Sequence, residues 1–133
     1  MNSKQNDGSR WACVLAVVLL SVLIGCSESD SDVLPAANTP KEAASQLQQA
    51  FVNANIEAKS DAKTASDALQ NADYEKAIQS LQILKARQNL TFDQGMAVYN
   101  SMVSLEGKLI ASAEAGDPKA KRAYELLKRS RRN

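Results

Sequence analysis

The sequence predicts an all-α fold, a small antiparallel helical bundle or set of helical hairpins of about four helices. Three observations carry that expectation. No Gly or Pro interrupts residues 41 to 94, a stretch in which alanine, the best helix former, keeps recurring. Capping signals punctuate the chain at Thr39, Asp73, Thr91 and Asp117. Between them, apolar residues recur at spacings of three and four. At 133 residues, 44% apolar and 23% charged, the chain has room for one domain at most.

The first helix opens at Thr39-Pro40-Lys41-Glu42, where Thr39 can cap, Pro40 takes the first helical position and Glu42 completes a capping box. Ala44, Leu47, Phe51, Ala54, Ala58, Ala65 and Ala68 form one thin apolar stripe, with Asp61 inside it. An uninterrupted helix from 40 to 70 would be about 46 Å long. Asn53-Ala54-Asn55 is where it would bend. Asn71-Ala72-Asp73 offers a turn, after which Tyr74, Ala77, Ile78, Leu81 and Leu84 line a second helix ending near Gln88.

Thr91-Phe92-Asp93-Gln94 is a second capping box. The helix it opens is expected to point Phe92, Met96, Tyr99, Val103, Ile110 and Ala113 inward, with Gly107 a local weak point and Gly116 its end. Asp117-Pro118 then starts a last helix with Ala120, Ala123, Tyr124 and Leu127 inward. The bulky core would be Leu47, Phe51, Tyr74, Leu81, Leu84, Phe92, Tyr99, Ile110, Tyr124 and Leu127. At about 1.5 to 3 kcal/mol per large side chain before entropy is subtracted, such a core leaves a marginal monomer. The alanine-lined face of the first helix admits two readings, self-association into a homo-oligomer or a helix former turned to water.

Ahead of these helices, Lys4 and Arg10 precede a run from Trp11 to Ile24 that is apolar apart from Ser21. This has the layout of an export signal, and it is shorter than the ~20 residues a membrane span needs. The run ends Leu23-Ile24-Gly25-Cys26, which resembles the lipobox of bacterial lipoproteins at every position. The resemblance implies diacylglyceryl transfer to the Cys26 sulfur, cleavage after Gly25, and acylation of the freed amine by a chain such as palmitate. A thiolate is nucleophilic enough for that thioether, and two or more acyl chains hold a membrane stably where one does not. Cys13 would leave with the signal, so no disulfide is expected within the mature chain. In the enterobacterial version of the family an Asp after the cysteine favours the inner membrane. Ser27 therefore points to the outer membrane, facing the periplasm. Residues 26–39, with Glu28, Asp30 and Asp32 and no base, read as a solvated, disordered linker; 40–131 would be the helical domain and 132–133 the end of a basic tail.

Residues Ala68 to Leu84, with Asn71-Ala72-Asp73-Tyr74 and Ala77-Ile78 at their centre, resemble the helix-turn-helix centre of a tetratricopeptide repeat. The resemblance covers about half a repeat, and Ala72 stands where the family has its turn glycine. It implies a module that binds a peptide or another envelope protein. The only echo, Gly116-Asp117-Pro118, lies 44 residues beyond Asp73 rather than at the 34-residue period of such arrays.

Catalysis is not expected. The chain has no histidine and two cysteines, which removes the commonest general base and any Cys/His zinc cluster, and no catalytic residue, metal or cofactor is assigned. Glu57, Asp61, Glu106 and Glu114 read as ordinary exposed helix charges. A net charge of +1 gives no reason to expect nucleic acid as a partner. Charge is nonetheless polarised. Lys119, Lys121, Arg122, Lys128, Arg129, Arg131 and Arg132 against Glu125 make the C-terminal stretch basic. That surface could meet anionic headgroups, cell-wall polymer or an acidic envelope protein, or it could merely complement the helix dipole. The expected function is that of a lipid-anchored, helical cell-envelope protein with a structural or protein-interaction role.

Overall fold

The computed structural model describes residues 36–132. The expected signal, the lipobox-like Leu23-Ile24-Gly25-Cys26 and the expected linker up to residue 35 lie outside the described residues. Within them there are five α-helices and no strand: α1 Pro40–Ala50, α2 Ile56–Gln70, α3 Tyr74–Ala86, α4 Phe92–Glu114 and α5 Pro118–Ser130.

The expected caps form. Thr39 Oγ1 accepts from the Glu42 N–H at 3.2 Å while Glu42 Oε2 accepts from the Thr39 N–H at 3.3 Å. Thr91 and Gln94 repeat that reciprocal arrangement at 3.2 and 3.1 Å. Asp73 and Asp117 cap α3 and α5.

The first helix is two. Instead of bending, the chain stops at Ala50 and restarts at Ile56, because Asn55 turns extended and its Oδ1 accepts from the Ala58 N–H at 2.8 Å, a helix start the sequence reading missed. The break lets the alanine stripe fold onto itself. Ser66, fully buried in α2, donates to the Ala44 carbonyl at 2.8 Å and accepts from Gln48 Nε2 at 2.8 Å, both across to α1. A hydroxyl reaches a neighbouring backbone carbonyl only where small side chains let helices come close. Ala43, Ala44, Ala62 and Ala65 are all buried. The alanine face is therefore covered from within, which replaces both earlier readings of it.

Consecutive helices run antiparallel, and α4 is central, packing against α1, α3 and α5. Gln94 Nε2 donates to the Ala50 carbonyl at 3.4 Å and Ser101 Oγ lies 3.5 Å from the Ala43 carbonyl oxygen, so α4 also runs antiparallel to α1. Five of the ten expected core residues, Leu47, Phe51, Leu81, Leu84 and Leu127, are buried. Tyr74 and Tyr124 are half-buried at the edge of the core. Phe92, Tyr99 and Ile110 are exposed, and on the same helix Val98, Leu105 and Leu109 are buried instead; Leu69 and the expected Ile78 complete the core.

Candidate interaction site

That exchange turns α4 around. Its buried positions are Ala97, Val98, Asn100, Ser101, Ser104, Leu105 and Leu109. At 100° per residue they centre on the side opposite Phe92, Met96, Tyr99, Val103 and Ile110, the residues expected to point inward. The physical reason is space. The wall offered by α1 is alanine, and only the small face of α4, with Ala97 and Ser101, fits against it at close range. The bulkier stripe is left outside, with Phe92 67%, Tyr99 62%, Val103 47% and Ile110 37% exposed. A helix apolar on two opposite faces is normally buried on both. Here the described chain covers one.

Beside this stripe runs an apolar groove of about 590 Å³. Leu90, Val98, Tyr99, Met102 and Val103 make its walls, Gly95 opens one side, and Lys85, Glu106 and Arg131 stand at its margin. Arg131 grips Glu106 with two parallel hydrogen bonds, Nη1 to Oε1 at 2.8 Å and Nη2 to Oε2 at 2.6 Å. That fork ties the end of α5 to α4, and donating to the Glu106 carboxylate raises the Arg131 guanidinium pKa above its ordinary value.

The seven C-terminal bases do not form one surface. Arg131 is committed to Glu106, and Lys128 donates to Glu125 at 3.0 Å while its Nζ lies 5.4 Å above the Tyr124 ring. Lys119 and Arg122 border the Asn71–Glu75 turn; Lys121, Arg122 and Arg129 line a shallow depression shared with Glu75 and Glu125. Arg132 is exposed at the end of the described chain. Glu75 and Glu106 arrive from α3 and α4, so the fold dilutes a basic excess that looks stronger along the sequence.

Asp61, read as an exposed charge, is half-buried and accepts from Arg87 Nε and Nη2 at 2.9 and 2.5 Å, which braces α2 against the end of α3. Glu106 is likewise tied up. Glu57 lies 3.9 Å from Arg87 and is exposed, as is Glu114. Among the described residues no three His, Cys, Asp or Glu side chains converge to hold a metal, and no helix is long and apolar enough to cross a membrane. Comparison with protein-family models, curated proteins and solved structures finds no match to this chain.

Proposed function

We propose that this chain is a lipid-anchored, non-catalytic interaction module of the bacterial cell envelope, tethered through acylated Cys26 and engaging protein through the outward face of α4. The single observation that carries the interaction role is the apolar stripe Phe92–Tyr99–Val103–Ile110, which covering by the described chain does not explain. Isolated exposed apolar residues are ordinary, but four on one helix face beside an apolar groove support a contact surface. The anchor rests on Leu23-Ile24-Gly25-Cys26.

Two measurements test the two halves. The intact mass of protein extracted from native membranes should show loss of residues 1–25 and added acyl mass; retention of Met1 refutes the anchor. Formaldehyde cross-linking of whole cells should trap discrete larger species that vanish in Val103→Glu and persist in Lys59→Glu, an exposed control on α2. If both variants behave alike, α4 is not the contact face.

A second reading, a tetratricopeptide-like module recognising a peptide or another envelope protein, draws support from Ala72, whose φ of 55° puts a left-handed backbone where that family has glycine. It predicts that partner binding protects α2 and α3 from amide exchange rather than α4.

A further inference from the structure

We infer that the outward face of α5 rests on anionic phospholipid headgroups of the bilayer that holds acylated Cys26. This builds on the anchor proposed above and adds to it a second, electrostatic contact.

Helical phase sets the face. Ala120, Ala123 and Leu127 are buried. At 100° per residue, Lys121, Arg122, Glu125 and Arg129 all fall within about 60° of the opposite pole. Arg132, three residues after Arg129, continues the row, and all five side chains are exposed.

The charge of that face is one-sided. Glu125 is taken by Lys128 at 3.0 Å, and among the described residues Lys121, Arg122, Arg129 and Arg132 have no carboxylate partner. Glu75 of α3 shares the depression lined by Lys121, Arg122 and Arg129. Five bases against the two carboxylates Glu75 and Glu125 leave a local +3. Leu126 stands half-buried at the margin, and no large apolar side chain lies within the sector itself. A protein interface buries an apolar, often aromatic, centre, whereas headgroups are met by bases alone, so the chemistry of this face fits a charged lipid surface.

Topology brings the face to the tethered end. Ser66 of α2 bonds Ala44 of α1, so the start of α1 and the end of α2, each four residues away, lie at the same end of the molecule. Lys119 and Arg122 border the Asn71–Glu75 turn that follows α2. Arg131 bonds Glu106, which lies beyond Ser101 on the side of the start of α1. The chain coming from Cys26 therefore enters the bundle at the end where α5 lies. The ten residues from Cys26 to residue 36 span at most about 36 Å when fully extended, close to the length of α4 itself. Headgroups are thus within reach, and tethering raises their effective concentration. Each net positive charge close to an anionic leaflet favours contact about fivefold, so three favour it about a hundredfold.

The full acylated chain, purified from membranes and reconstituted into vesicles of phosphatidylcholine alone or with about one-third phosphatidylglycerol, tests this. A water-soluble N-hydroxysuccinimide ester of acetate labels exposed lysines, and mass spectrometry reads the yield at each. Lys121 should label at least about tenfold more slowly on the anionic vesicles than on the neutral ones. Lys59, exposed near the start of α2 and so towards the far end, should label equally on both. About 0.5 M NaCl should restore the labelling of Lys121 by screening. Arg122→Glu combined with Arg129→Glu should abolish its protection, and because both side chains are exposed, an unchanged helical circular dichroism spectrum establishes that the variant folds. Equal labelling of Lys121 on both vesicles, or protection that survives salt or the double variant, overturns the headgroup contact. Flotation reads the anchor separately. Failure to float with neutral vesicles removes the anchor on which the inference rests, whereas flotation with equal labelling removes the contact of α5 and leaves the anchor standing.

Discussion

Ala72 carries a side chain through a backbone conformation that L-residues avoid. α2 ends in a Schellman turn: the Asp73 N–H bonds the Ala68 carbonyl at 2.9 Å and the Ala72 N–H bonds that of Leu69 at 3.4 Å, with Ala72 at φ 55°. α4 ends in the same turn, Asp117 to Ser112 and Gly116 to Ala113, with Gly116 at φ 94°. In each, the aspartate that closes one helix caps the next. The Asp73 and Asp117 segments that echo one another in sequence are thus one local device used twice, once with glycine and once without. Ala72→Gly should stabilise by about 0.5–1 kcal/mol and Gly116→Ala should cost about 1 kcal/mol, moving the melting temperature a few degrees in opposite directions. A Cβ at Gly116 meets nothing within 4 Å, so the loss there would be backbone strain alone. Ser104 offers a second residue-scale prediction. Its hydroxyl is buried and, among the described residues, has no hydrogen-bond partner. Ser104→Ala should leave stability unchanged or raise it by up to about 1 kcal/mol by chemical denaturation, because it removes a desolvated polar group without orphaning another.

At the scale of elements, the ends of helices were legible and their faces were not. Capping is written in three or four adjacent residues, so Thr39, Asp73, Thr91 and Asp117 could be read directly. The Asn55 cap is not legible in sequence, because the surrounding alanine-rich segment is as good inside a helix as at its ends. Face assignment failed on α4, since hydropathy marks the bulky stripe as core whereas the alanine wall of α1 accepts only the small face. The Asp61–Arg87 brace was equally hidden, its members standing 26 residues apart. Its consequence is measurable. Asp61→Ala should cost about 1 kcal/mol by leaving a half-buried guanidinium short of its acceptor, while Lys63→Ala, which breaks the exposed i,i+4 pair with Asp67, should stay within about 0.5 kcal/mol in the same urea titration.

For the whole molecule, composition and local pattern determined the helical class, the positions of the turns and the absence of histidine chemistry, because helix propensity and capping are properties of neighbouring residues. The resemblance of Leu23-Ile24-Gly25-Cys26 to a lipobox is also read from four consecutive positions, and the anchor proposed from it is a matter for mass measurement rather than geometry. Tertiary structure decided where the first helix breaks, that its alanines close against α2 and α4, that the C-terminal bases are partly neutralised by Glu106 and Glu75, and that α4 turns its larger apolar stripe to solvent. Those outcomes depend on which side chains leave room for a neighbouring backbone, a quantity set jointly by residues far apart in the chain. A hydrophobic period reports that a face is apolar; only the shape of what stands opposite determines whether this chain covers it or leaves it exposed.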